Sequence, residues 1–445
     1  MDEGSKKIYE KIESIPDLKE RMSALESVPT TEAIETLLRG AIDLNSSDIH
    51  IEPEEDGAKI RLRLDGMLQD VTVLDLKIFQ KLLSRLKLLS EMRLNVSDRP
   101  QDGRFTAPIQ DSEIEIRTST LPSKNGESVV LRLLNPKKLI EIEGLGLRKD
   151  LLEAFKKEMI KPNGMIIVTG PTGSGKTTTL YAVLKEIQSS EIKIITIEDP
   201  IEYHLDGISQ TQVSPDKGFD FASELKSMVG QDANISSSSS KGYDFASGLR
   251  SIVRQDPDVI LIGEIRDSET AGIAIQASLT GHLVLSTLHT NDAAGTIARL
   301  LNLGIKPSDI GPAINVVIAQ RLVRKVCKKC SELKQAEKED IEKLEKGTKG
   351  LKGKITLPKI DSNLKIPSAK GCKECNFTGY KGRVGVFEVM LIDSKMEKFV
   401  LENPSTSALG EKAIKNGMTT MKEDGLFKVL EGITTIEEVK RVIGE

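Results

Sequence analysis

The stretch Gly170-Pro171-Thr172-Gly173-Ser174-Gly175-Lys176-Thr177-Thr178 constrains the chain more than any other. Its first eight residues fill the template G-x-x-x-x-G-K-[ST] at every specified position. Met165 to Val168 form the short apolar run of a buried strand, and Leu180, Val183, Leu184 and Ile187 recur at helical spacing after the loop. In that setting the glycines let backbone N–H groups turn inward at a helix N-terminus, where the macrodipole favours an anion. Lys176 adds a mobile cation for the β and γ phosphates, and Thr177 offers its hydroxyl to Mg2+. The stretch predicts a core that binds ATP with Mg2+.

At 445 residues the chain is too long for one core and suggests two to four domains. The net charge of −4 gives no global pull toward nucleic acid, and the absence of Trp leaves little material for stacking bases, so no nucleic acid is expected as a partner. The local basic cluster Arg321, Arg324, Lys325, Lys328 and Lys329 reads as a solvated face. No apolar run reaches the length of a membrane span, and Met1 to Glu13 lacks a signal-peptide core. A cytoplasmic protein, meeting a membrane only through partners, is expected.

Residues 1–28 are highly charged and read as a mobile arm without an assigned function. Ala33, Ile34, Leu37, Leu38, Ala41 and Ile42 share one helical face. Ser47 to Glu52 alternates as a strand does, and Ile60 to Leu64, Asp65-Gly66 and the alternating run to Val73 read as a hairpin. A helix from Lys77 to Met92 and strands around Glu113–Thr118 and Ser128–Leu134 complete an α+β region built on hairpins.

After a short helix between Leu145 and Pro162, strands and helices alternate, which implies a mostly parallel sheet covered on both sides. Beyond the loop strand, Lys193–Glu198, Val259–Gly263 and Leu283–Leu288 are the strand candidates. Each ends in polar residues, where ligands of open α/β sheets collect. Asp258-Val-Ile-Leu-Ile-Gly-Glu264 has the apolar strand and terminal carboxylate of a Walker B element, with Gly263 where many such enzymes carry an Asp. Glu264 can bind magnesium through water or position the attacking water; Glu198 and Asp199 compete with it as general base. His282 and His289 lie seven apart, so one at most faces the nucleotide, and His289 at the strand's C-terminal end is the better placed. Cys327, Cys330, Cys372 and Cys375, two C-x-x-C pairs that use every Cys of the chain, have the spacing of a closed structural Zn2+ site.

Taken together, Ser47-Asp-Ile-His-Ile-Glu-Pro53, Pro100-Gln-Asp-Gly-Arg104, the glycine loop, Thr196-Ile-Glu-Asp-Pro-Ile-Glu202, the run from Phe245 to Asp258, Gly263-Glu-Ile-Arg-Asp267, the His-containing strand, Gln320-Arg-Leu322 and the paired cysteines resemble the ATPases of type II secretion and type IV pilus assembly. The resemblance covers about residues 31–445. It implies an α/β chain arranged as a PAS-like α+β domain (31–137), a linker (138–161), a RecA-like P-loop ATPase domain (162–320), a zinc-binding subdomain (321–390) and a C-terminal helical subdomain (391–445), with 1–30 as the arm. It implies a homohexamer that hydrolyses ATP to drive assembly of a pilus or pseudopilus, with inner-membrane platform proteins as partners. In this family's pattern Lys176, Glu198, Glu264 and His289 match the Walker A lysine, Asp-box glutamate, Walker B glutamate and His-box histidine, and Arg117 and Arg132 match arginines that reach the nucleotide from the N-terminal domain. Little precedes Thr31, so the extra module with which such ATPases dock to their membrane partner is expected to be missing. The cysteines resemble extension and secretion enzymes rather than retraction ones. A RecA-like nucleic-acid translocase is the competing reading, and nucleic-acid stimulation of turnover would favour it.

One departure from the family pattern is an internal repeat. Lys217 to Asn234 is echoed 24 residues later by Lys241 to Asp258 with eleven of eighteen pairs identical, and Ser236 to Ser240 lies between the copies. The second copy runs into the Walker B strand and keeps Arg250 and Arg254, so it should hold the native slot, leaving the first as a surplus amphipathic helix. Deleting Glu224 to Ser247, which joins Ser223 to Gly248, should therefore preserve metal content, assembly and ATPase rate, as metal analysis, light scattering and a phosphate-release assay would check.

Overall fold

The computed structural model describes residues 11–23, 29–109, 112–135, 140–213, 244–402 and 404–444. The first repeat copy lies outside them. The chain divides into two compact units: one holds residues 1–138 with 324–333 and 367–383, the other 139–323 with 334–366 and 384–445. The stretch from 321 to 390, expected as a single zinc-binding subdomain, is thus shared between the two.

In the first unit, α1 (Ile15–Ser23) and α2 (Thr30–Asp43) precede β1 (Asp48–Pro53), β2 (Ala58–Leu64) and β3 (Met67–Leu74), and α3 (Leu76–Leu89) precedes β4 (Gln101–Ile109), β5 (Ser112–Ser123) and β6 (Gly126–Leu134). The strands form an antiparallel sheet in the order β3-β2-β1-β6-β5-β4. Asp65 and Gly66 both have positive φ (49° and 85°), the backbone that a two-residue hairpin needs. The alternation of β2 is strict, Ile60, Leu62 and Leu64 buried and Lys59, Arg61 and Arg63 half-buried, so the helices cover the apolar face alone.

The expectation of an arm over residues 1–28 needs correction. Ile15 to Ser23 is helical, and Ile12, Ile15, Leu18 and Met22 are buried in the core with Leu37, Leu38 and Ala41 of α2. A Cβ added at Gly40 would lie 2.5 Å from Leu18 Cδ1, so the two helices touch at the glycine. Burying four such side chains stabilises by about 1.5–3 kcal/mol each.

In the second unit α4 (Lys149–Met159) leads to β7 (Gly164–Thr169), α5 (Lys176–Ile187), β8 (Ile194–Glu198) and β9 (Ser209–Gln212). Then follow, in chain order, α6 (Phe245–Val253), β10 (Val259–Ile262), α7 (Ser268–Leu279), β11 (Leu283–Leu288), α8 (Ala293–Asn302), α9 (Pro307–Ala313), β12 (Ile314–Val326), β13 (Glu332–Gln335), α10 (Lys338–Gly347), β14 (Lys365–Ser368) and β15 (Tyr380–Leu391). The sheet order is β15-β12-β7-β11-β10-β8-β9, and the pairs from β12 to β9 are parallel. Every residue of β7, β8, β10 and β11 is buried, as strands covered on both faces require. α6, from the second repeat copy, buries Phe245, Leu249 and Ile252 with Ile197 and Ile262.

The C-terminal helices α11 (Ser394–Leu401), α12 (Thr406–Lys415), α13 (Met421–Leu430) and α14 (Ile436–Ile443) belong to this unit. Asp424 of α13 is fully buried and accepts from Lys428 Nζ (2.7 Å), Phe387 N (3.0 Å) and Arg148 Nη1 (3.3 Å). Arg148, just before α4, also donates to Thr419 (3.1 Å) and Asp150 (2.9 Å). Removing the carboxylate leaves buried Lys428 without its counter-charge and Arg148 with Asp150 alone, so Asp424→Ala should cost about 3–5 kcal/mol in chemical denaturation.

Candidate functional site

The glycine loop leaves β7 and enters α5, whose N-cap is Gly175 at φ 86°. Gly173 also has positive φ (78°). β12 presses against this loop. A Cβ at Gly170 would lie 2.5 Å from the Gln320 carbonyl oxygen, a backbone approach only glycine permits. The Gln320 side chain, buried, donates to Ser174 O (2.7 Å) and accepts from Thr179 Oγ1 (2.7 Å), which braces the loop against the first turn of α5. The sequence shows Gln320 only as part of a family-like motif, without a role, because a buried amide cannot be told from a surface one in sequence.

Lys176 donates to the carbonyls of its own loop, Gly170 O (3.0 Å) and Pro171 O (3.2 Å). Burial lowers its ammonium below the usual lysine range; Glu264 works against this and the charge of Arg321 adds to it. Ser174 Oγ is buried with no hydrogen-bond partner among the described residues. Loop amides at a helix N-terminus, a cation held only by carbonyls and an orphaned hydroxyl fit a phosphate chain.

Glu264 stands just past β10, its carboxylate largely shielded. His289, just past β11, puts Nε2 2.9 Å from Glu264 Oε2, and Arg266 pairs with the other oxygen while reaching Asp199 at 3.8 Å. Arg266 belongs to a motif the sequence displays, yet its role required the fold. Gly263 stands close to the neighbouring strand: an added Cβ would meet Glu198 Cα at 3.3 Å, a tight contact between the ends of β8 and β10. His282 sits at the opposite end of β11, its Nδ1 3.0 Å from Ala277 O, away from the loop.

Glu198 is a different kind of carboxylate. It is 3% exposed and bonded to Tyr181 Oη, Thr196 Oγ1 (2.6 Å) and Gln210 Nε2 (3.3 Å). Burial pushes its pKa up against those hydrogen bonds and pushes the Tyr181 phenol up as well. A side chain so enclosed can position the strand end, and it can reach a water only by breaking these bonds.

In the first unit, the polar sheet face carries a row of arginines at one level. Arg63 pairs across from Asp48, Asp48 from Arg132, Arg132 from Arg117 and Arg117 from Arg104. The shielded Asp48 holds two of them, Arg132 at 3.0 Å and Arg63 at 3.4 Å, and Glu115 lies 3.6 Å from Arg117. Like charges directly opposite one another cost stability, so the row is a charge arrangement suited to an anion.

The four cysteines come together in the first unit, with all four sulfurs within 4.8 Å of one another. Cys327–Cys372, Cys330–Cys375 and Cys372–Cys375 sulfurs are 3.9, 3.7 and 3.8 Å apart. Tetrahedral bonds of about 2.3 Å place ligand sulfurs about 3.8 Å apart, so the cluster could hold one metal ion. Burial works to raise the Cys375 thiol, but N–H donors from Cys372 and Gly379 and the neighbouring sulfurs bring it down to about 7. Of the basic cluster read as a solvated face, Arg324 lies 4.2 Å over the Tyr380 ring and Arg321 bonds Asn291, so those two are engaged.

The described residues include no helix long and apolar enough to cross a membrane. The family model described as "Type II/IV secretion system protein" matches residues 23–441. Type II secretion system protein E of Xanthomonas campestris is 41% identical over 96% of this chain and 70% of its own, and the type II secretion system ATPase E of Vibrio cholerae is 40% identical over 97% and 79%. The type IV pilus assembly ATPase PilB of Myxococcus xanthus is 38% identical over 96% and 70%. Among solved structures, the Legionella pneumophila ATPase DotB superposes with TM-score 0.62 at 22% identity over 92% of this chain and 94% of its own, and the pilus retraction motor PilT with 0.56 at 24% over 92% and 96%, likenesses that speak for the fold. With its glycine loop, Glu264–His289 pair and cysteine cluster, the chain belongs to the type II/IV secretion system protein family.

Proposed function

We propose that the protein is an ATP hydrolase that drives assembly of a type II secretion pseudopilus or a type IV pilus, working as a homohexamer in the cytoplasm with inner-membrane platform proteins. The observation that carries the catalytic part is the Glu264–His289 pair, held at 2.9 Å past β10 and β11 of the sheet whose β7 leads into the glycine loop. A nucleic-acid translocase is not favoured, since the relatives named above are secretion and pilus proteins.

In this reading bound ATP with Mg2+ supplies the phosphoryl group and the metal's charge. The backbone N–H groups of Gly170 to Thr178, Pro171 excepted, and the Lys176 ammonium would bind the phosphates, and the Thr177 hydroxyl would hold the metal. Glu264 orients the attacking water and accepts its proton, while His289 fixes the carboxylate's direction. Glu198 acts at one remove, locking the end of β8 against Gly263. Arg117 and Arg132 balance charge on the transferring phosphoryl group. Lys176→Ala should weaken ATP binding; Glu264→Gln should keep binding and lower turnover by about 10²-fold or more; Glu198→Gln should retain more turnover than Glu264→Gln. Arg117→Ala and Arg132→Ala should lower turnover far more than affinity. Binding and phosphate release measured in one buffer check all five, and wild-type turnover by the Glu264→Gln protein would remove Glu264 from the mechanism.

The cysteine cluster is proposed as a closed, structural Zn2+ site. Protons compete with the metal for thiolates, so stripping should become easier as pH falls. Metal analysis of protein purified without chelator should give one zinc per chain. Mild acid with chelator should release it and expose backbone amides around 324–333 and 367–383 to hydrogen exchange, leaving the buried strands β7, β8, β10 and β11 protected.

A further inference from the structure

Arg321 has a geometry that the Walker motifs do not account for. It lies on β12, two residues past Ala319, which pairs with Thr169 at the end of β7. Its Nη2 nevertheless reaches Asn291 (Oδ1 at 3.3 Å, O at 3.5 Å), two residues past His289. In the sheet β7 stands between β12 and β11. The guanidinium therefore spans the end of β7, where the glycine loop begins. Both bonds to Asn291 are long, and Nη1 is buried with no acceptor among the described residues. Asp292 offers Arg321 a counter-charge while burial holds the guanidinium below its ordinary range, and its field reaches Lys176. Of the two cations beside the loop, one is satisfied by carbonyls and the other keeps a buried, idle N–H, which a phosphate oxygen would complete.

We propose that Arg321 is a second cation of the same subunit's phosphate site, whose guanidinium contacts the phosphate chain of the nucleotide held by the glycine loop. The proposal rests on the ATP-binding reading above and adds a ligand contact to it. Arginine suits the task because its charge is permanent and its planar fork can hold Asn291 with one edge and a phosphate oxygen with the other.

Equilibrium binding of a fluorescent ATP analogue to the full chain with Mg2+, displaced by ATP, ADP or AMP, tests it. Arg321→Ala should weaken ATP by about tenfold or more, with a smaller loss for ADP and the smallest for AMP, and Arg321→Lys should recover part of the affinity. Arg321→Gln keeps a donor for Asn291 without the charge, so it separates charge from packing if the alanine variant fails to fold; it should bind ATP as weakly as a folded alanine variant. ATP affinity within twofold of wild type in the folded glutamine variant would overturn the proposal, as would an equal loss for AMP and ATP, the mark of a merely distorted loop. Failure of the wild-type chain to bind ATP at all would overturn the nucleotide reading itself, and this proposal with it.

Discussion

The register of the parallel strands is the constraint on which the candidate site depends. Gly164 to Thr169 pairs with Leu283 to Leu288 residue for residue, and Val259 to Ile262 pairs with Leu283 to Ser286. The chain leaving β7 becomes the glycine loop, the chain leaving β10 carries Glu264, and the chain leaving β11 carries His289. A slip of two residues would move a strand end by about 6.6 Å, more than twice the 2.9 Å separation of His289 and Glu264. A slip of one would exchange the two faces of the strand. The apolar fit of β7 and β11 between their helix layers thus sets the geometry of polar groups that take no part in that fit.

The loop is held from both flanks. On one side Gln320 grips Ser174 and Thr179. On the other Thr169, the last residue of β7, bonds Leu288 O (3.0 Å) and meets Thr290 Oγ1 at 2.7 Å, and Thr290 Oγ1 meets Thr296 Oγ1 at 2.9 Å. This hydroxyl chain joins the start of the glycine loop to the turn bearing His289 and on to α8. Such short, buried bonds limit how far either neighbour can shift without the loop following.

Much of this was legible in the sequence because the signals were local. The Asp65-Gly66 turn, the bounds of β11 and the glycine loop follow from residue types over fewer than ten positions. α1 was not legible. Ile12, Ile15, Leu18 and Met22 do share a helical face, but Glu13, Asp17, Lys19, Glu20 and Arg21 dilute it, and only the partner surface on α2 gives those four residues somewhere to go. The contrast between Glu198 and Glu264 was hidden for the same reason. Both end apolar strands, and what separates them is Tyr181, seventeen residues away on α5, which encloses one and not the other. Gly263 read as a departure from a motif, and what it lies against is the backbone of a strand more than sixty residues earlier, which no local pattern displays.

The division of the chain carries a consequence for its mechanics. Each unit is made of three separate segments in alternation along the sequence, so the backbone passes from one to the other at 138/139, 323/324, 333/334, 366/367 and 383/384. Two bodies joined at one linker form a hinge that a single cut would sever. Here a nick at 138/139 would free residues 1–138, yet the segments that carry the cysteines, 324–333 and 367–383, would stay bonded to the second unit, because the chain returns to the first only by way of it. Neither unit can be excised as one continuous piece of chain.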